Sequence, residues 1–242
     1  MNIGWNMENI YKKNLEIIDK SIKRSFDLLK GLNKLKYFDK TNFEKNKESL
    51  SIVHISDEND LIMFEDNQVV LYVCETNTLY INDSLLYNQL LDEDLICMYI
   101  LHELMHMASA SIEKNVVGFM FETMPITYNE GCTQYLTLKL LFDNNFENAI
   151  KNNTMYPQSV ITVKRAVDLL GEETVFNGFF EASLKKAVDG FSPKVLDEWI
   201  DYVMELSNSL EEQIAISNID SLESKVNGLE NESEIEGNLQ TL

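Results

Sequence analysis

Residues 92–110 read DEDLICMYILHELMHMASA and contain a strong helical signal. Three carboxylates open this stretch, where negative charge favours the positive N-terminal end of a helix dipole. Residues 95–107 are apolar almost all round, which is typical of a helix buried on every side. The stretch therefore predicts a buried helix against which other elements of the chain must pack.

Two histidines and a glutamate lie inside this helix, in the order His102-Glu103-Leu104-Met105-His106. Residues four apart in a helix share one face, with β-carbons about 5 to 6 Å apart. Two imidazole nitrogens that each lie about 2.05 Å from a tetrahedral zinc ion are about 3.3 Å apart, which these side chains can reach. The spacing predicts that His102 and His106 bind one metal ion, while Glu103 leans towards its open position without binding it.

Catalytic zinc sites commonly have three protein ligands and keep the fourth position for water or substrate. The best candidate for the third ligand is Glu130, in the stretch YNEGCTQ at 128–134. Glu130 shares one face of the predicted helix with Thr133, Gln134 and Thr137. This face forms a polar stripe on an otherwise apolar helix. Glu122, which lies closer to His106 in the sequence, is the main competing ligand.

HELMH followed by NEGCTQ resembles the gluzincins, zinc peptidases whose thermolysin-like members carry HExxH and then Asn-Glu-x-x-Ser-Asp on a neighbouring helix. Asn129 and Glu130 match that pattern, whereas Thr133 replaces the serine and Gln134 the aspartate. The resemblance implies that Glu130 is the third zinc ligand, with Asn129, Thr133 and Gln134 around the ligands. In the family the aspartate supports a zinc histidine, and a neutral amide should raise ligand basicity less. The Asn-Glu-Gly opening is also similar to the gluzincin aminopeptidases.

The motif and the resemblance together predict a peptidase that holds one Zn²⁺ ion and cleaves a peptide or protein substrate. Glu103 would take a proton from a metal-activated water and deliver it to the leaving amine. Family members commonly add a Tyr or His that stabilises the oxyanion, and the candidates are Tyr156, Tyr128 and His54. We favour Tyr156, because Pro157 disfavours helical backbone before it and so predicts an extended residue ahead of a helix.

A different class of function is a metal-binding regulatory or protein-interaction protein with little hydrolysis. Glu103 counts against this class, because a structural site has no need of a general base. Nucleic acid is not an expected partner, since 40 acidic and 20 basic residues give a net charge of -20. Residues 48–113 contain acidic residues and no Lys or Arg, which could attract cations or a basic peptide but equally promotes solubility.

The N-terminal stretch MNIGWNMENIYKKN lacks the features of a secretory signal, and no apolar run reaches the length of a membrane span. We therefore expect a cytoplasmic protein. Its cysteines, Cys74, Cys97 and Cys132, have no pairing spacing and are expected to stay reduced. The sequence makes no prediction of oligomeric state.

Periodicity predicts an α+β, zincin-like fold with a mostly helical C-terminal half. A first helix runs from Asn6 to about Gly31, and three strands form a small, mostly antiparallel sheet at Ser51–Ser56, Gln68–Cys74 and Thr78–Asn82, with a turn at Glu75–Asn77. Further helices are predicted at 126–142, 158–170 and 193–208.

We expect one domain over 1–210, comprising the first helix and sheet (1–91), the metal helices (92–142) and a helical part (143–210). The acidic segment 211–242 is expected to be partly helical near 219–229 and otherwise disordered.

Overall fold

The computed structural model describes residues 3–56, 63–64, 67–87, 89–119, 126–153 and 155–181. Its helices are α1 Ile3–Leu29, α2 Lys40–Glu48, α3 Glu93–Ser109, α4 Ile126–Phe142, α5 Phe146–Lys151, α6 Pro157–Leu170 and α7 Glu172–Glu181. Its strands are β1 Ser51–Ile55, β2 Val70–Val73, β3 Thr78–Asn82, β4 Ala110–Ser111 and β5 Val116–Val117. The predicted α+β class is confirmed.

The described residues fall into two compact units. One lies within Met1–Val117 and Thr137–Asp143, and the other within Gly118–Leu136 and Asn144–Leu242. The first contains α1, α2, α3 and all the described strands, whereas the second contains α5, α6 and α7.

In the first unit, α1 packs against α3 and confirms the helix predicted at the N-terminus. Buried Asn14 of α1 fastens the chain that leads into α3, since its Nδ2 donates to Leu86 O at 2.7 Å and to Gln89 O at 2.8 Å. Its Oδ1 accepts a bond from Leu91 N at 2.9 Å. Every polar atom of this buried amide therefore has a partner, as burial demands.

The central sheet has the order β1-β3-β2, with β2 antiparallel and β1 parallel to β3. The predicted turn between β2 and β3 is confirmed by a bond from Asn77 N to Cys74 O at 3.1 Å. Asn77 has φ +47°, a left-handed conformation that asparagine tolerates well. The sheet is therefore mixed, and the prediction of a mostly antiparallel sheet is wrong. The reason is that β1 pairs with β3, to which it runs parallel, and not with β2, its neighbour in sequence.

The buried helix predicted at 92–110 is confirmed as α3, which Asp92 caps by accepting a bond from Leu95 N at 2.9 Å. The helix predicted at 126–142 is confirmed as α4 with the same bounds. The helix predicted at 158–170 is α6, which ends at Gly171 with φ +84°. The predicted helix at 193–208 and the predicted acidic tail lie outside the described residues.

α2 was not predicted, because its sequence KTNFEKNKE carries a single apolar side chain. It forms because Asp39 caps its first turn and because Phe43 and Asn46 are buried. None of the described helices has the length and apolar character that a bilayer crossing requires. Cys74, Cys97 and Cys132 are free thiols, as the sequence predicted.

Candidate metal centre

The two histidines of HELMH lie on one face of α3. Their ring centroids are 4.9 Å apart, with the ring planes at 81° to one another. His102 is 1% exposed and His106 8% exposed, and the helix around them is equally buried at Leu101, Leu104 and Met105. Burying two imidazoles in such apolar surroundings is costly unless their nitrogens are bonded.

Glu130 of α4 completes a group with these histidines. One ligand atom from each of His102, His106 and Glu130 lies within 4.8 Å of the others, with both histidines buried and the carboxylate half-buried. Two imidazoles and a carboxylate form a donor set that suits a divalent transition metal. The predicted triad is therefore brought together, and it could bind a metal ion. The competing residue Glu122 lies outside the described part of the chain.

Gly131 follows the carboxylate and makes a close approach between α4 and α6 possible. A β-carbon at this position would lie 2.6 Å from the carbonyl oxygen of Ser159 and 2.7 Å from its carbonyl carbon. Any side chain would therefore collide with the backbone of α6. The glycine of the Asn-Glu-Gly sequence thus has a packing role, which the sequence did not reveal.

Asn129 precedes the carboxylate and is fully buried. Its Oδ1 accepts a bond from Phe119 N at 2.9 Å, while its Nδ2 has no hydrogen-bond partner among the described residues. An unsatisfied buried donor costs about 1 to 3 kcal/mol. The observed contact of Asn129 is therefore with the backbone before α4, and its predicted place around the metal ligands stays a prediction.

Thr133 and Gln134 are also fully buried. Thr133 Oγ1 donates to Asn129 O at 3.0 Å, and Gln134 Nε2 donates to Asn153 Oδ1 at 3.0 Å. The polar stripe predicted for this helix is thus in the interior, where it needs partners. Support of a zinc histidine by Gln134 stays a prediction.

Glu103 has a contact that the sequence did not predict. Its Oε2 accepts a hydrogen bond at 2.8 Å from the main-chain N–H of Tyr72, on strand β2. The side chain of Glu103 is half-buried. No sequence pattern joins residues 72 and 103, because the pairing depends on where β2 packs against α3.

The predicted oxyanion residue Tyr156 lies directly before α6 and is 40% exposed. Its backbone has φ 49° and ψ 47°, so the prediction of an extended conformation is wrong. Pro157 clashes with a right-handed helical residue before it, and the left-handed conformation is another way to avoid that clash. The role of Tyr156 stays a prediction.

The other two candidates for that role lie in different surroundings. Tyr128 is 2% exposed, and burial raises its pKa well above the usual value. His54 lies on β1, across β3 from the strand that contacts Glu103, and its Nδ1 is 2.6 Å from Asp83 Oδ1.

Cys132 and the methionines of α3 behave as packing residues. Cys132 is fully buried, and burial together with the charge of Glu130 raises the pKa of its thiol well above the usual value. A thiol that stays protonated is a poor metal ligand. Met105 and Met107 are likewise fully buried.

Comparison of the chain with protein-family models, with curated proteins and with solved structures found no match. What the protein does must therefore be inferred from the residues of the site.

Proposed function

We propose that this protein is a zinc-dependent peptidase of zincin-like fold, in which Glu103 is the general base. The observation that carries this proposal is the group formed by His102, His106 and Glu130, whose ligand atoms lie within 4.8 Å of one another. Three protein ligands leave a fourth position for water or substrate, as in catalytic zinc sites. The resemblance of HELMH and NEGCTQ to the gluzincins supports the same assignment.

Zinc is our preferred ion, because two imidazoles and one carboxylate are ligands typical of its catalytic sites. Such sites also accept other divalent ions, so the ligands alone favour zinc without requiring it. When bound, the ion would polarise the scissile carbonyl and lower the pKa of a water molecule from about 15.7 towards about 7.

Glu103 is the proposed proton carrier. It follows the ligand His102 directly in α3, and its carboxylate is half-buried and held by the backbone of β2. It accepts the proton of the attacking water and then delivers it to the nitrogen of the leaving amine. Its two tasks need no covalent bond between the enzyme and the substrate.

The substitution Glu103→Gln tests this function. We expect the variant to keep the metal content of the wild type, because Glu103 is not in the ligand group. Its kcat should be about 10²-fold to 10⁴-fold lower than that of the wild type. Metal analysis of the purified protein should be paired with digestion of a peptide library, with and without a chelator.

Two outcomes of that experiment would contradict the peptidase. One is wild-type protein that binds metal yet cleaves no peptide, which would favour a regulatory metal-binding protein. The other is cleavage that the chelator and the Glu103→Gln substitution both leave unchanged. Substitution of His102 by Ala is the matched control, since it should remove the metal as well as the activity.

A further inference from the structure

We propose that the main-chain N–H of Tyr72 is a positioning group for Glu103. It donates to Oε2 of the carboxylate at 2.8 Å and so fixes the orientation of the Glu103 side chain. This inference rests on the proposed peptidase function and adds to it a part of the molecule that the metal motif does not contain. Tyr72 acts through Glu103 and is not itself a catalytic residue.

The register of the sheet explains why this N–H is available. Asn82 N donates to Val69 O at 2.8 Å, so Val69 and Asn82 form a hydrogen-bonded pair of the antiparallel ladder. Such pairs alternate with pairs that exchange no bonds, and Tyr72 opposite Leu79 is one of the latter. The N–H of Tyr72 therefore points away from β3. Because β2 is an edge strand of the described sheet, this N–H is directed to the side where Glu103 lies.

The side chain of Tyr72 fixes the strand at the same point. Its hydroxyl donates to Asn77 Oδ1 at 3.0 Å, and Tyr72 is 7% exposed. Asn77 in turn donates from Nδ2 to Asn46 O at 2.8 Å and to Ser49 Oγ at 2.9 Å. The residue that holds the carboxylate is thus itself held by a network of buried amides.

The network returns to the helix that carries Glu103. Asn46 Nδ2 donates to Met107 O at 3.0 Å and to Ala110 O at 2.8 Å, at the C-terminal end of α3. Asn46 is 1% exposed and Asn77 5% exposed. The donor and the acceptor of the Tyr72–Glu103 bond are therefore linked a second time, through hydrogen bonds that water does not reach. Such a closed network fixes the distance between β2 and α3.

A fixed carboxylate has a kinetic advantage. A glutamate side chain with three rotatable bonds must otherwise lose that freedom in each transition state, and displacement of a reacting group by about 1 Å can reduce the rate about a hundredfold. The bond to Tyr72 removes this freedom before the substrate arrives. It should therefore affect kcat and leave the binding of metal and substrate unchanged.

Proline tests the N–H, because it removes the donor and is tolerated in edge strands where the N–H faces away from the ladder. The comparison is between Tyr72→Pro and Tyr72→Ala, which both lack the phenol and differ in the donor. We expect kcat to be about tenfold to a hundredfold lower for the proline variant, with equal KM and equal metal content.

Val70 provides the matched control. Its N–H also points away from β3, since Val70 lies two residues before Tyr72 and pairs with Ile81 in the same non-bonded manner. The pair Val70→Pro and Val70→Ala therefore measures what proline does to the strand itself. We expect the ratio of their kcat values to be close to one. A ratio as large as that at Tyr72 would overturn the proposal.

A second arm asks whether the effect passes through Glu103. In the Glu103→Gln background, the two Tyr72 variants should have the same residual rate, because the group that the N–H positions is no longer a base. A proline effect that persists undiminished in this background would also overturn the inference.

The bond can be tested without turnover, which separates this proposal from the peptidase itself. Amide hydrogen exchange should show protection of the Tyr72 N–H that decreases at least about tenfold in Glu103→Ala, with the Val70 amide as control. Unchanged exchange at Tyr72 would reject the positioning bond even in an active enzyme. Glu103-dependent protection in a protein that cleaves no peptide would reject the peptidase alone.

Discussion

At the scale of single residues, adjacent positions of α4 meet different requirements. Glu130 contributes a ligand atom to the group with the two histidines. Gly131 is required because it has no side chain, since the backbone of Ser159 occupies the space that a β-carbon would need. The Asn-Glu-Gly sequence therefore combines a chemical requirement with a packing requirement, and the two can be tested separately.

The substitution Gly131→Ala tests the packing requirement. Alanine raises helix propensity by about 1 kcal/mol, but its methyl group would lie 2.6 Å from Ser159 O, so α4 and α6 must move apart. Overpacking costs about 1 to 3 kcal/mol, and because the contact is with rigid backbone we expect a cost near the upper end and a net loss of about 1 to 2 kcal/mol in the free energy of unfolding, measured with a denaturant. In the control Gly31→Ala, the close atom is the mobile end of the Leu140 side chain, and the loss should be smaller. Equal stability of Gly131→Ala and wild type would contradict the close approach.

At the scale of elements, both ends of α3 are satisfied by side chains. Asp92 binds the N–H of Leu95 at the start of the helix. At its end, Asn46 binds the carbonyl oxygens of Met107 and Ala110, and Asn42 Nδ2 binds Ala110 O at 2.6 Å. The last carbonyl groups of a helix have no partner within it, so the helix that carries HELMH depends on α2.

Substitution of Asn46 and Asn42 by Ala should therefore differ in effect. Asn46→Ala removes both side-chain bonds from a residue that is 1% exposed and leaves buried carbonyl groups without that donor. We expect it to lower the free energy of unfolding by about 1 to 3 kcal/mol, since each of the two hydrogen bonds contributes about 0.5 to 1.5 kcal/mol and both carbonyl groups keep one other donor. Asn42→Ala removes one partly buried bond and should cost less. Denaturant unfolding compares them, and a larger loss for Asn42→Ala would refute this ranking.

At the scale of the whole molecule, charge and burial act differently on stability. The net charge is -20, and basic residues of the N-terminal segment form exposed ion pairs such as Arg24–Asp94 at 2.7 Å and Lys45–Glu113 at 2.5 Å. Exposed pairs of this kind contribute about 0 to 1 kcal/mol each. The stronger pH-dependent contribution comes from tyrosines that the fold keeps neutral.

Stability should fall in alkaline solution for this reason. Burial, and then the hydrogen bond to Asp83, raise the pKa of Tyr11 to about 12. Burial is also the main cause that raises the pKa of Tyr72 and Tyr135. The folded state holds these tyrosine protons more tightly than the unfolded state does. Their contribution to the free energy of unfolding is therefore complete below the unfolded-state pKa of about 10. It is lost as the pH rises through the folded-state pKa, which for Tyr11 is about 12.

The measurement is the free energy of unfolding between pH 9 and 12, for wild type and Tyr11→Phe. The variant should be less stable at pH 9, because it lacks the bond to Asp83, and should lose stability less steeply above pH 10. One tyrosine contributes a slope of at most about 1.4 kcal/mol per pH unit. Identical slopes for the two proteins would show that Tyr11 is not the group responsible.

The sequence predicted those parts of the site that lie close together along the chain. The four-residue spacing of His102 and His106 is a property of any helix, and their common face follows from it. The apolar stretch and the acidic first turn likewise predicted α3, and the hydrophobic periodicity predicted α4 and α6. These are local signals, because a helix bonds to itself.

The parallel pairing of β1 with β3, the Tyr72–Glu103 bond and the Gly131–Ser159 approach could not be predicted in that way. Each depends on which elements become neighbours in space, and no local period in the sequence carries that information. The predicted extended conformation of Tyr156 was wrong for a related reason. A following proline disfavours the right-handed helical conformation, but it leaves both the extended and the left-handed conformations open.

The amino-acid sequence alone thus determined four of the described helices (α1, α3, α4 and α6), the two histidine positions and the best candidate for the third ligand. Only the tertiary structure decided that Glu130 lies within 4.8 Å of both histidines and that the backbone of an edge strand holds Glu103. The physical reason is that periodicity sets which way a side chain faces within its own element. The distance between side chains of different elements is set by packing.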